Sequence, residues 1–198
     1  MFKIIAMTNR NFCGSSFLRQ IEKIAASGVS EIILREKDLL PEDYAVLARQ
    51  VRTICQKYPV TLRFHTYYRV AKNLKCPRIH LSLPVLEENP GIKSSFDSIG
   101  VSIHSLEQAE KAVALGADYL TAGHIFATDC KKGLAPRGIP FLKSVLKAVS
   151  IPVYGIGGID ENTIGEVAKA GASGVCLMSS LMLCENPTRY VNQLKMNC

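Results

Sequence analysis

The chain has 198 residues, 47% hydrophobic and 21% charged, which suits one domain with a full core. No apolar run approaches the roughly 20 residues of a membrane span, and Met1–Met7 is too short for a signal-peptide core, so a cytoplasmic location is the default expectation. The net charge of +7 is spread along the chain with no basic run beyond Lys131-Lys132, and Trp is absent, which argues against a nucleic-acid platform and for a small phosphate-bearing ligand.

Short Val/Ile/Leu-rich runs alternate with segments of helical period. The first run is Lys3–Met7 and the second Ser30–Leu34, which leads into Arg35-Glu36-Lys37-Asp38. Pro41 opens a helix on which Leu47, Val51 and Ile54 recur on one face. Val60–Phe64 is the third strand, ending at His65, and Arg78–Leu81, containing His80, is the fourth. Ser98–Ser102 is the fifth. A helix follows, with Ser105 placed to cap it and Gln108 at its third position. Tyr119–Ala122 is the sixth strand, Val153–Ile156 the seventh and Gly174–Leu177 the eighth. Gly28, Gly116 and Gly171 each close a helix just before a strand, as left-handed C-caps do.

Continuous apolar strands of this kind suit a parallel sheet covered on both faces. Eight βα units in one short chain predict a single TIM-type (β/α)8 barrel spanning residues 1–198. An open doubly wound sheet is the alternative, but no glycine-rich turn follows the first strand. The seven cysteines include no CxxC pair, so neither a zinc site nor a disulfide framework is expected. Cys176 reads as core, and Cys130 lies in a polar loop.

In such a barrel, chemistry gathers where strands end and helices begin. Gly157 and Gly158 follow the seventh strand and let backbone amides approach a ligand; otherwise they merely serve a turn. Ser179 and Ser180 follow the eighth, near a helix N-terminus that favours an anion, unless Ser179 is a simple cap. Together these loops form the usual phosphate site of the fold. Arg35 and Lys37 sit two apart and share a face if the second strand extends to them. They then hold a carboxylate or a phosphate; otherwise they are a solvated charged loop. His124 stands at the end of the sixth strand and can both take and give a proton, or be structural, while Thr128 and Lys131 add polar contacts. Ser102 is a plausible ligand hydroxyl. His65 is placed to touch ligand, His80 to face or fill the barrel mouth, and His104 to cap its helix or meet solvent.

Several of these stretches resemble the thiamine phosphate synthase superfamily. They are Leu34-Arg35-Glu36-Lys37-Asp38, Ile99-Gly100-Val101-Ser102, Ala117-Asp118-Tyr119, Gly123-His124-Ile125-Phe126, Ile156-Gly157-Gly158-Ile159 and Ala172-Ser173-Gly174-Val175. The likeness runs in order over nearly the whole chain. One branch, the synthases, joins a pyrimidine diphosphate to a thiazole phosphate with Mg2+. The other, the thiazole tautomerases (TenI proteins), only aromatises the thiazole phosphate.

The loop Gly123–Gly133 resembles the tautomerase version, with His124 where synthases carry Pro and Cys130 where a Thr precedes the lysine. The two Mg2+-binding Asp positions of synthases fall here on Thr66 and Val85, and a Gln two residues before the Arg is here Ile33. The resemblance therefore implies an isomerase that shuttles a proton on a carboxylated dihydrothiazole ethyl phosphate. His124 would be its catalytic residue and Arg35, Lys37, Ser102, Thr128 and Lys131 its substrate contacts. Gly157, Gly158, Ser179 and Ser180 would hold the phosphate, with no metal or other cofactor. A Mg2+-dependent thiamine phosphate synthase is the alternative, since Arg35, Lys37, Ser102, Thr128 and Lys131 also match synthase positions. A non-catalytic regulator of gene expression is a third reading, supported only by the charge. The expected partner is a thiazole phosphate, with no nucleic acid or membrane; a homodimer is compatible with the resemblance.

Overall fold

The computed structural model describes residues 2–198. Its eight strands are β1 (Lys3–Met7), β2 (Glu31–Leu34), β3 (Thr61–His65), β4 (Arg78–Ser82), β5 (Ser98–Ile103), β6 (Tyr119–Gly123), β7 (Val153–Ile156) and β8 (Gly174–Leu177). Each pairs in parallel with the next, and β8 returns to β1, closing a (β/α)8 barrel. Helices α1 (Phe17–Ala26), α2 (Pro41–Cys55), α3 (Tyr68–Asn73), α4 (Leu83–Glu87), α5 (Leu106–Ala114), α6 (Gly138–Ala148), α7 (Ile164–Lys169), α8 (Ser179–Met182) and α9 (Pro187–Met196) surround it. Among the described residues no helix is long and apolar enough to cross a membrane.

Strand side chains alternate between two environments, as a two-residue period requires. Ile4, Ile32, Phe64, Ile79, Ile99 and Leu120 face outward into the core shared with the helices. Ile5, Met7, Ile33, Tyr119, Tyr154 and Cys176 form a second apolar cluster inside the barrel. Ser105 caps α5 as expected, accepting from the Gln108 N–H at 3.2 Å. Gln108 Oε1 reaches back one residue further than a capping box predicts and accepts from the His104 N–H at 2.7 Å. Gly28, Gly116 and Gly171 all have positive φ, as C-caps require. On α2 the buried stripe is Tyr44, Ala48, Val51 and Cys55, so the expected Leu47–Val51–Ile54 face is rotated. Tyr44 sets that rotation. Its buried hydroxyl donates to the Leu34 carbonyl at 2.7 Å and accepts from the His65 N–H at 3.1 Å, tying α2 to the ends of β2 and β3.

The barrel interior is polar on one side. Arg63 Nε donates to Glu31 at 2.5 Å, Arg63 Nη1 donates to the Ser98 carbonyl at 2.9 Å, and the guanidinium lies 4.7 Å from the Tyr119 ring centre. His80 is fully buried, with Nδ1 2.8 Å from the Tyr119 hydroxyl and Nε2 2.8 Å from the Ser102 hydroxyl. His65 stacks on His80 at 5.4 Å. Gly100 makes room for this arrangement, because a Cβ there would lie 2.0 Å from the Tyr119 ring. A Gly100→Ala change should therefore cost about 1–3 kcal/mol through overpacking, read from urea unfolding. A variant as stable as the parent would show that the ring has slack.

Burial, with lesser contributions from Arg63, Lys37 and Arg35, pushes the His80 imidazole down to about 3. Burial also holds His65 well below its ordinary value, aided by His80 and the same two cations. Both rings are neutral in the native barrel at pH 7. The unfolded chain binds protons that the native one refuses, so their contribution to stability is present above about pH 6.5 and is lost as pH falls toward 3. Urea unfolding at a series of pH values should show stability dropping between pH 6.5 and 5, by up to about 1.4 kcal/mol per unit for each histidine. A flat profile there would mean that the native barrel accepts those protons.

Candidate functional site

β2 ends at Leu34, and the chain continues past Arg35 into a turn held from below. Thr8 Oγ1 donates to Glu36 at 2.5 Å and accepts the Arg35 N–H at 2.9 Å. The Glu36 carboxylate also accepts the Arg10 N–H at 2.9 Å, and Arg10 reaches on to Asp38 at 2.6 Å. Glu36 is 2% exposed, and burial raises its carboxyl above the ordinary range. This buried anchor fixes the backbone between Arg35 and Lys37 while leaving both cations to the barrel mouth. Neither cation has an acidic partner within 4.0 Å among the described residues, and this is the electrostatic signature of the site. Desolvation first, then Arg35 and Lys131, pushes the Lys37 ammonium downward.

Lys131 arrives from the opposite side, on the loop after β6. That loop is bound edge-on to the end of β7. Ile125 N–H donates to the Ile156 carbonyl at 2.9 Å and Phe126 N–H to the Gly157 carbonyl at 3.0 Å. The approach needs glycines. A Cβ at Gly157 would lie 2.3 Å from the His124 Cβ, and one at Gly158 would lie 2.3 Å from the Ala127 carbonyl oxygen. Both also have positive φ, so the residue type is doubly required. Farther along, Thr128 Oγ1 accepts from the Cys130 N–H at 3.4 Å, and the Lys131 N–H bonds the Thr128 carbonyl at 3.0 Å.

The result is a cavity of about 490 Å3 at the C-terminal mouth of the barrel. All the residues given a catalytic, substrate or phosphate role from sequence line it: Arg35, Lys37, Ser102, Thr128, Lys131 and His124, with Gly157, Gly158, Ser179 and Ser180. The wall carries three cations and no carboxylate. That charge balance suits an anion more negative than a single carboxylate.

Several placements differ from expectation. His104 does not merely meet solvent: it lines the cavity, and its Nδ1–H donates to the Gly123 carbonyl at 2.7 Å. His80 lies beneath the cavity and supports Ser102. Ser179 and Ser180 begin a helix of only four residues, too short for the dipole invoked for them, so their amides and hydroxyls act locally. His124 is 9% exposed, and its Nε2–H donates to the Leu134 carbonyl at 3.3 Å. Its own carbonyl accepts the Arg137 N–H at 3.0 Å, so this residue pins both ends of the loop that carries Lys131. Gln108, Ser82 and Pro84 also reach the wall. A sequence signal existed for Gln108, whose spacing from Ser105 was visible, and for Ser82, two residues past His80 on the same strand face; none existed for Pro84.

The family described as thiamine monophosphate synthase matches residues 4–181. The thiamine-phosphate synthase of Fusobacterium nucleatum is 32% identical over 184 residues, covering 91% of this chain and 89% of that protein. The putative thiamine-phosphate synthase 2 of Aquifex aeolicus is 36% identical over 183 residues, covering 91% and 97%. The structure of thiamine phosphate pyrophosphorylase from Pyrococcus furiosus superposes with a TM-score of 0.83 at 25% identity, covering 99% of this chain and 95% of that one. The 3-hexulose-6-phosphate synthase structure shares only the fold, with a TM-score of 0.74 at 15% identity.

These relatives correct the expected isomerase: proteins alike over nearly their full length are named as synthases, which are transferases, and no tautomerase is among them. His124, expected to move a proton because it stands at the end of the sixth strand, lines the cavity and also makes a loop-anchoring hydrogen bond from Nε2 to the Leu134 carbonyl at 3.3 Å. From the matched span and the relatives together, the chain belongs to the thiamine monophosphate synthase family.

Proposed function

We propose that this chain joins a diphosphate-activated pyrimidine to a thiazole phosphate, forming thiamine phosphate and releasing diphosphate. The carrying observation is the cavity lined by Arg35, Lys37 and Lys131 with no acidic side chain. In the coupling, the carbon–oxygen bond to the diphosphate breaks and its electron pair leaves with the diphosphate. The thiazole nitrogen lone pair forms the new carbon–nitrogen bond. The negative charge that develops on the leaving oxygen is met by the three cations, already in place before the reaction. Gly157, Gly158, Ser179 and Ser180 hold the thiazole phosphate arm, and Ser102 and Thr128 supply further hydrogen bonds. Holding both reactants in one cavity removes the cost of bringing them together. His124 keeps the Lys131 loop closed over them.

Synthases of this family use Mg2+, and the side chains here do not fit it. Mg2+ takes oxygen ligands, usually including carboxylates. The cavity wall has none, and among the described residues no cluster of three or more His, Cys, Asp or Glu could hold a metal. Thr66 stands at one expected ligand position with its hydroxyl committed to His65 Nδ1 at 2.7 Å. Ile33, at the position of the expected Gln, is fully buried in the interior apolar cluster. No step is therefore assigned to a metal.

The test is incubation with both synthase substrates, once with Mg2+ and once with chelator, reading thiamine phosphate. Product in either arm supports the reading, and none in both overturns it. Lys131→Ala and Arg35→Ala should each lower kcat/KM by about 10²–10³-fold, the usual cost of losing one charge-stabilising donor. Unchanged rates in both variants would remove the cations from the mechanism.

A further inference from the structure

Two side chains at the junction of β5 and α5 each have one end tied to a backbone group of fixed polarity. His104 Nδ1 lies 2.7 Å from the Gly123 carbonyl oxygen. A carbonyl can only accept, so Nδ1 carries the proton, and in the neutral ring Nε2 keeps its lone pair. The His104 backbone N–H lies 2.7 Å from the Gln108 side chain. A backbone N–H can only donate, so the amide oxygen faces it and the NH2 group is the free end. Neither free end has a partner among the described residues, and both side chains line the cavity. This wall therefore offers an acceptor and a donor from neighbouring side chains. Neither can be reversed without breaking its anchoring hydrogen bond. The serine and threonine hydroxyls elsewhere in the lining rotate and are not fixed in this way.

We propose that His104 and Gln108 form a subsite for the heterocycle and recognise the edge of an aminopyrimidine, on which an amino group stands beside a ring nitrogen. The amino N–H donates to His104 Nε2, and the ring nitrogen accepts from the Gln108 amide. The identity of the heterocycle rests on the transferase reading; the polarity of the two side chains does not. A diphosphate or carboxylate oxygen is an acceptor and would meet the His104 lone pair with its own. The cavity is thus divided. Arg35, Lys37 and Lys131 take the anionic end of the substrate, and the β5–α5 junction takes the uncharged ring. From the side of β2, the fully buried Ile33 offers that ring no hydrogen bond. A ring edge with donor and acceptor exchanged would set like against like at both side chains, at a cost similar to two lost hydrogen bonds.

The experiment has a binding arm and a spectroscopic arm. The protein is titrated with the aminopyrimidine diphosphate and with the analogue in which a carbonyl oxygen replaces the amino group. That replacement moves a proton to the ring nitrogen and so exchanges donor and acceptor along the edge. The parent protein should bind the amino compound about 10- to 100-fold more tightly, the effect of two mismatched neutral hydrogen bonds. Gln108→Glu keeps an acceptor for the His104 N–H and turns the free end from donor to acceptor. In Gln108→Glu and in His104→Ala the preference should fall to within about threefold. Neither side chain belongs to the core, so both variants keep the fold in which the preference is read. Long-range ¹H–¹⁵N correlation spectra of the histidine-labelled protein should show neutral His104 with its proton on Nδ1, and its Nε2 resonance should shift when the aminopyrimidine diphosphate is added. An Nε2–H tautomer, or an Nε2 resonance that the ligand does not move, overturns the proposal. So does a parent protein without the preference, or a preference retained in either variant. If the preference behaves as stated while no thiamine phosphate forms with or without Mg2+, the subsite stands and the transferase reading falls. Thiamine phosphate formation with an unaltered preference in the variants sinks the subsite alone.

Discussion

A polar group sealed inside a barrel must have its hydrogen-bonding capacity used, and this barrel seals several of them. Glu31, Arg63, His65, His80, Tyr119 and Thr121 all point inward between β2 and β6. Among the described residues no buried side-chain nitrogen or oxygen lacks a partner. Removing one partner of the Arg63–Glu31 pair would strand a charge, a larger penalty than the pair's own net contribution. The network therefore says little about how stable the barrel is. It says a great deal about how few arrangements the interior has, and the floor of the cavity inherits that definition.

The mouth is built on the same logic with the charges reversed. Glu36 is buried and surrounded by donors, so that the cations on either side of it need not be. Across the opening, Gly157 and Gly158 allow the loop after β6 to close onto β7 at distances no side chain permits. Lys131 comes to face Lys37 because of that contact, and like charges then crowd together without compensation. Such crowding is unfavourable in the empty protein and is relieved when an anion binds. Electrostatic strain of this kind, held in place by backbone contacts, is what suits the mouth to an anion.

The strands were legible to within a residue because apolar runs between turn signals leave little choice, and the αβ turns were legible because only glycine tolerates their φ. The cavity lining followed from one rule, that loops after parallel strands meet at one end of a barrel. What escaped was set by contacts between distant segments. The buried face of α2 depends on a tyrosine hydroxyl choosing the ends of two strands, which outweighs the apolar period that favoured Leu47. His104 reaches the cavity because Gly123 offers it a carbonyl, and nothing in the local sequence shows that. The polar interior did leave a trace. Arg63 and His65, His80 and Ser82, and Ser98 and Ser102 stand at even spacings along their strands. That period marks one face of each strand as polar, and the face proved to be the inside of the barrel.

The sequence points toward the isomerase for a reason that generalises. The absence of carboxylates at Thr66 and Val85 removes ligands for a metal, not a reaction. Loss of a metal ligand bears on how negative charge is neutralised; it does not decide which bond is broken. A metal ion and a set of fixed cations perform the same electrostatic service at a leaving diphosphate, and they differ in geometry and in dependence on the surrounding solution. A cavity with no acidic side chain and three cations retains that service in another form. Of the residues that depart from the family pattern, Thr66 and Val85 lie off the cavity wall and His124 and Cys130 stand on it, beside Arg35, Lys37 and Lys131, which keep the pattern. Three cations in one wall with no carboxylate are what the proposed transfer between phosphorylated substrates requires.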